Sequence, residues 1–80
     1  MKTIRLQYFA ILREHRGLSE ESIQTHAATP AQLFQELKAQ HHLPLGPDHL
    51  RAAINGEFAA MDAPLADNDE VVYIPPVAGG

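Results

Sequence analysis

Three groups of residues in this 80-residue chain could do chemistry: five histidines, two short acidic clusters and a closing Gly79-Gly80 pair. His41 and His42 are adjacent at the end of a predicted helix, so they point about 100° apart and share one metal poorly. His49 belongs to a separate loop, and no His-Glu-x-x-His spacing occurs. The histidines read as surface groups near a helix C-terminus, where the helix dipole favours positive charge. Glu20-Glu21 and Asp67-Asn68-Asp69-Glu70 are the acidic clusters. A catalytic carboxylate pair needs an enclosed site that splits the two pKa values. A single-layer domain of this size has little room for one, so a solvated face or turn chemistry is the better reading. The Asp67–Glu70 run also lacks the oxygen-ligand spacing of a calcium loop. There is no cysteine, which excludes disulfides and thiolate metal sites. Gly17, Gly46 and Gly56 are isolated, so no glycine-rich phosphate loop is present. The side chains point to a non-enzymatic domain with no metal site.

Gly79-Gly80 is different. At average glycine usage near 7%, chance puts Gly-Gly at a chain end about 0.5% of the time. A frayed tail is the ordinary explanation, but here the pair follows a firm predicted strand and a Pro75-Pro76 stop. Pro75 to Gly80 could extend ~20 Å at about 3.3 Å per residue. Without Cβ atoms, the two glycines can pass a narrow channel and adopt backbone angles closed to other residues. The group delivered is the Gly80 α-carboxylate. A carboxylate is a poor electrophile, yet joining it to AMP creates a good leaving group. The activated carbonyl can then accept sulfur, giving a thiocarboxylate, or an amine, giving an amide. The expectation is a carried acyl group on a recognisable handle, with the active sites on partners.

The elements that must position this tail are legible. Ile4, Leu6 and Tyr8 alternate with Thr3, Arg5 and Gln7, predicting a half-buried strand over 3–8. Phe9 then falls on the polar side. Residues 10–16 read as a short helix ended by Gly17, and 21–25 as a strand. Thr29-Pro30-Ala31-Gln32 has the form of a capping box. It opens a helix to about His41 with Leu33, Phe34 and Leu37 as its apolar stripe. Pro44, Gly46 and Pro47 prevent its continuation. Segments 51–54 and 57–60 flank Asn55-Gly56, which suits a type I′ turn. Asp67-Asn68-Asp69 marks another turn, and 70–74 is the last strand, stopped by two prolines that cannot donate to a ladder.

One main helix on one mixed sheet buries Leu33, Phe34 and Leu37 against Ile4, Leu6 and Ile54. If the last strand pairs beside the first, the result is an α+β, β-grasp (ubiquitin-like) domain over 1–76 with a flexible tail at 77–80. In a two-residue hairpin Ile54 pairs with Glu57 and Ala53 with Phe58, so an inward Ile54 turns Phe58 outward. Phe9 and Phe58, with Ile74 near the tail, are therefore expected to anchor a partner.

The charge balance agrees. Ten acidic against six basic residues give a net charge of −4, against the basic face that nucleic acid requires. No apolar h-region follows Met1-Lys2-Thr3-Ile4-Arg5. The longest apolar run, Tyr8 to Leu12, is far short of the ~20 residues of a membrane span. A cytoplasmic domain without membrane or nucleic-acid partners is expected.

Four blocks carry a family resemblance: Phe9-Ala10-Ile11-Leu12-Arg13-Glu14 with Gly17; Ile54-Asn55-Gly56-Glu57; Pro64-Leu65-Ala66-Asp67-Asn68-Asp69-Glu70-Val71; and Pro75-Pro76-Val77-Ala78-Gly79-Gly80. Spread in order along nearly the whole chain, they resemble the small, sulfur-carrier subunits of molybdopterin synthase. Asn68 stands where many relatives have glycine, and asparagine tolerates the left-handed conformation. The resemblance implies that a ubiquitin-activating-type adenylyltransferase uses ATP and Mg²⁺ to adenylate Gly80. A persulfide donor then makes the thiocarboxylate. The tail, Pro75, Pro76, Val77 and Ala78 leading to Gly79 and Gly80, enters the large synthase subunit and gives its sulfur to cyclic pyranopterin monophosphate. The implied assembly is a heterotetramer, and this chain itself holds no cofactor. A thiamine-pathway sulfur carrier or a ubiquitin-like protein modifier are the rival readings.

Overall fold

The computed structural model describes residues 1–43 and 50–75. Its elements are β1 (Lys2–Tyr8), α1 (Ala10–Arg16), β2 (Glu20–Thr25), α2 (Pro30–His41), β3 (Arg51–Ile54), β4 (Glu57–Ala59) and β5 (Glu70–Ile74). The strands form one sheet in the order β2-β1-β5-β3-β4. β5 runs parallel to β1, and every other neighbouring pair is antiparallel. This is the β-grasp arrangement expected from the sequence, with the first and last strands adjacent and β5 in the middle.

The inward face follows from alternation. Ile4, Leu6 and Tyr8 of β1, Val71 and Tyr73 of β5, and Ala52 of β3 are buried, and they form one core with Leu33, Phe34 and Leu37 of α2 and Leu12 of α1. Ile54, expected in the core, is only partly buried and packs at its margin. Its cross-strand partner is Glu57, beside the hairpin turn, where the sheet runs out.

Local chemistry fixes the ends of α2. The Thr29 hydroxyl accepts the Gln32 N–H at 3.2 Å, as an N-cap should. The Gln32 side-chain Oε1 reaches back to accept the Ala28 N–H at 2.9 Å, one residue upstream of the reciprocal bond of a standard capping box. The helix ends at His42, which turns left-handed (φ 53°) and donates its N–H to the Lys38 carbonyl. The stop thus precedes the proline-rich segment expected to impose it. The entry to α2 is also tied down from outside: Ala31 N–H donates to the Met61 carbonyl and Leu65 N–H to the Ala28 carbonyl, each at 2.9 Å.

The turns carry the expected backbone. Gly17 takes φ 72°, and Asn55 and Gly56 take φ 52° and 86°, as a type I′ hairpin demands. β4 is one residue shorter than the predicted 57–60. Ala10, at the start of α1, has φ 53°; nothing in its sequence context signals this, and a left-handed alanine costs roughly 1–2 kcal/mol.

Asn68 has φ 70° and is exposed. Its N–H donates to the Thr3 carbonyl at 2.7 Å, a bond any non-proline residue can make. Asn68→Gly is therefore expected to leave the free energy of urea unfolding within about 0.5 kcal/mol, whereas Asn68→Val loses about 1–2 kcal/mol. Equal stability of the two variants would contradict the strained-turn account.

Candidate functional site

The site begins with how β5 is held, because the tail leaves from its end. Tyr73 is fully buried. Its hydroxyl donates to the Pro30 carbonyl at 2.6 Å, and its ring meets Phe34 edge-on with centroids 5.2 Å apart. Burial pushes the Tyr73 hydroxyl pKa up, so the group stays a neutral donor. On one side of β5 Tyr73 pairs with Tyr8; on the other, Tyr73 pairs with Ala52 and Ile74 with Arg51. The strand is therefore fixed up to its last residue.

A second cluster braces the same end of the sheet. The Tyr8 hydroxyl donates to Glu21 Oε2 at 2.5 Å. Arg16 Nη2 donates to both Glu21 oxygens at 2.8 and 2.7 Å, and its Nε adds a bond at 3.1 Å. The guanidinium lies 5.8 Å from the centre of the Tyr8 ring. Burial pushes the Glu21 carboxyl up, but the Tyr8 hydroxyl and the Arg16 guanidinium outweigh it and hold the group below the usual carboxylate range. Burial and the Glu21 bond raise the Tyr8 hydroxyl, and the bond to Glu21 raises Arg16. This corrects the expectation that Glu20-Glu21 is a solvated face. Only Glu20 is exposed. Glu21 pairs with Leu6 in the ladder, so alternation points it to the inner side, where Tyr8 and Arg16 meet it.

The other acidic cluster is turn chemistry, as read from the sequence. Asp67 Oδ1 accepts the Thr3 N–H at 2.7 Å, and Asp69 Oδ2 the Ala66 N–H at 2.8 Å. Asp69 Oδ1 accepts from Asn55 Nδ2, while Asn55 Oδ1 accepts the Glu70 N–H, both at 2.9 Å. Carboxylates and one amide thus lock the hairpin turn to the start of β5. Among the described residues, no group of three or more His, Cys, Asp or Glu could hold a metal ion. His15, His26 and His42 are exposed and His41 is half-buried; His49 lies outside the described residues. Also among the described residues, no helix is long and apolar enough to cross a membrane.

What remains is a surface. The register places Glu20, Gln7, Val72, Ala53 and Phe58 in one row across the outer face of the sheet. Ile74 and Arg51 lie in the next row toward the tail. Phe58 is 75% exposed and Phe9, the N-cap of α1, 47%. Ile74 is half-buried, and Pro75 is buried. Phe58 and Ile74 thus share the open face, with Phe9 at the same end as Ile74. Sequence reasoning missed Val72 and Ala53 as half-exposed members of this face, although the alternation that sends Val71 and Tyr73 inward implies it. Pro76, Val77, Ala78, Gly79 and Gly80 lie outside the described residues.

Comparison with known proteins gives a consistent picture. A model of the ThiS family matches residues 6–80. The molybdopterin synthase sulfur carrier subunit of Escherichia coli (strain K12) is 36% identical over 80 residues, covering 96% of this chain and 99% of that one. The solution structure of the Haloferax volcanii HVO 2177 protein superposes with a TM-score of 0.83 at 29% identity, covering 99% of this chain and 87% of that one. The crystal structure of SAMP1 from Haloferax volcanii gives a TM-score of 0.77 at 27% identity, covering 98% and 99%.

The Glu21 cluster has a testable pH signature. Its folded pKa is lowered, so its contribution is fully present above the unfolded value near ~4.3 and is lost as pH falls through the folded value. Glu21→Gln is expected to lose about 1–2 kcal/mol at pH 7. The gap to the parent should close as the solution is taken to pH 3. A gap that is unchanged across that range in urea unfolding would show that the charge on Glu21 contributes nothing.

Proposed function

Because the chain belongs to the ThiS family, we propose that it is a sulfur carrier for molybdopterin synthesis with the Gly80 α-carboxylate as its reacting group. One observation supports this above the others. The 36% identical relative named as a molybdopterin synthase sulfur carrier subunit aligns over 96% of this chain and 99% of its own length.

The chemistry requires little of the folded body. The Gly80 carboxylate attacks the α-phosphorus of ATP on an adenylyltransferase of the ubiquitin-activating type, with Mg²⁺ held there, and pyrophosphate leaves. The terminal sulfur of a persulfide donor then attacks the acyl-adenylate and AMP leaves, giving an acyl disulfide; a donor-side thiol attacks the other sulfur, forming a disulfide with the donor and releasing the thiocarboxylate. The charged tail enters the large subunit of molybdopterin synthase, where sulfur passes to cyclic pyranopterin monophosphate. Catalytic groups for that transfer belong to the partner, and two carriers on a dimer of large subunits complete the sulfurtransferase complex.

In this reading Phe9, Phe58 and Ile74 dock the body on the large subunit, while Pro75, Pro76, Val77 and Ala78 guide Gly79 and Gly80 inward. The exposure of Phe58 and its continuity with Val72 and Ile74 on the open face favour that role. Small, unbranched Gly79 and Gly80 suit a narrow entrance. A ubiquitin-like modifier is the second reading, favoured by the likeness to SAMP1. It places the activated Gly80 on lysine amines instead of sulfur. The thiamine-pathway carrier shares the first two steps and differs only in the acceptor.

Intact mass spectrometry after incubation with an adenylating enzyme, ATP and a sulfide source distinguishes a sulfur carrier from a modifier. A free protein heavier by the difference between sulfur and oxygen is expected, and one residue appended after Gly80 should abolish the gain. Conjugates of higher mass in cells, without the sulfur form, would support the modifier instead. Independently, Phe58→Asp should weaken binding to the large synthase subunit by about 10-fold or more while leaving the circular dichroism unchanged. Unaltered affinity would remove Phe58 from the docking face.

A further inference from the structure

α1 stands on weak local grounds. It has seven residues, well below the ~12–15 at which an isolated helix holds in water. Its N-cap, Phe9, makes no side-chain cap bond, its first turn holds no acidic residue, and Leu12 is its one buried residue. It also opens on a strained backbone: Ala10 has φ 53°, a region that few residues with a side chain enter. Such an outlier persists only where its surroundings over-determine it, and it points to function. Phe9, Ala10 and Ile11 are three consecutive exposed apolar residues, a pattern with no role in a core. Phe9 follows Tyr8 as Ile74 follows Tyr73, and Tyr8 and Tyr73 are ladder partners. The strained turn therefore sets what the domain displays beside the end of β5.

A bridge across the two flanks of the segment holds this turn. Tyr8 stands immediately before Phe9, and Arg16 is the last residue of α1. Both bind one carboxylate: Glu21 accepts from the Tyr8 hydroxyl and receives three bonds from Arg16. The Arg16 guanidinium also lies over the Tyr8 ring. Tyr8 N–H is fixed in turn on the Ser19 carbonyl at 2.8 Å. Inside the loop so closed, Leu12 N–H donates to the Phe9 carbonyl at 3.1 Å, across Ala10. The side chains of Arg16 and Glu21 are only 15% and 20% exposed, so the pair is placed to act through the turn rather than by touching a partner.

We propose that Arg16 and Glu21 are positioning residues for docking: their ion pair, completed by the Tyr8 hydroxyl, clamps α1 to the end of β1 and keeps Ala10 left-handed, with Phe9 and Ile11 displayed to the large synthase subunit. The identity of that partner rests on the sulfur-carrier reading; the clamp itself does not.

The first readout needs no partner, so failure of the clamp and failure of the carrier reading are distinguishable. In the free full-length chain, Ala10 should show the strong intraresidue amide-to-Hα NOE that marks positive φ. Glu21→Gln offers one acceptor oxygen where the carboxylate receives bonds on two. It should weaken that NOE, as should Arg16→Gln. Glu14→Gln, an equal change of charge at an exposed position of α1, should leave it unchanged. The second readout is affinity for the large subunit at pH 7. Glu21→Gln is expected to bind about 10-fold more weakly, with circular dichroism showing the chain still folded. A role in overall stability alone would not move that value, since a folded chain docks with its full affinity. Adding Ala10→Gly to Glu21→Gln removes the steric cost of the left-handed turn and should recover most of the loss. An undiminished Ala10 NOE in Glu21→Gln would overturn the proposal, and so would an affinity loss that Ala10→Gly does not recover. Weakened NOEs in a protein whose parent the large subunit does not bind would fault the carrier reading and uphold the clamp.

Discussion

The burial of one tyrosine governs what this domain can present. Tyr73 is, with Val71, one of the two inward residues of β5, and it satisfies its only side-chain donor on the Pro30 carbonyl. Removing a buried aromatic from a core costs about 3–5 kcal/mol, against a total stability of about 5–15 kcal/mol for an ordinary domain. That one side chain joins the first turn of α2 to the central strand. β5 therefore cannot shift without disturbing the helix cap, and the exit of the tail is fixed relative to the open face. The Tyr8–Glu21–Arg16 cluster acts on the neighbouring strand at the same level, since Tyr8 is the ladder partner of Tyr73.

The two faces of the sheet differ in what they carry. Inward residues fill the core with α2, α1 and Leu65. Outward residues differ from edge to centre. At the β2 edge they are Glu20, Ser22 and Gln24, all exposed and polar; at the far edge β4 is only three residues long. Polar and short edges discourage strand addition. The apolar outward residues, Val72, Ala53, Phe58 and Ile74, lie on β5, β3 and β4. On the proposed reading, a partner would gain most by lying on that face, rather than by extending the sheet.

Much of this was legible in the sequence because the relevant rules are local. The alternation of Ile4, Leu6 and Tyr8, the Thr29-Pro30 cap and the Asn55-Gly56 turn each act within a few residues, and each gave its element in the right place. The outward turn of Phe58 followed from hairpin register once Ile54 was taken to face inward. What was not legible depended on encounters between distant segments. Glu21 reads as an ordinary solvated acid until β2 is laid beside β1 and α1 brings Arg16 over Tyr8. The left-handed His42 and Ala10 answer to how the chain leaves α2 and enters α1, and neither residue type announces such a backbone. Ile54 was placed one step too deep because its burial depends on how far the sheet extends beyond the hairpin.

The same contrast bears on where the proposed chemistry can reside. A side chain recruited as a general acid or base must be able to change its proton occupancy near neutral pH. In this body the perturbed groups are moved the other way: the tyrosine hydroxyls are pushed up and Glu21 is held down, each away from neutrality. Their hydrogen bonds are already engaged with one another or with the backbone. Such groups are suited to holding geometry and poorly suited to moving protons. In the proposed reading the reacting group is instead the Gly80 main-chain carboxylate, which is none of these core groups, so its activation on a partner would leave their hydrogen bonds intact. On that reading a domain this small could be specific because the open face would supply the selectivity and the chemistry would fall to a group outside the core.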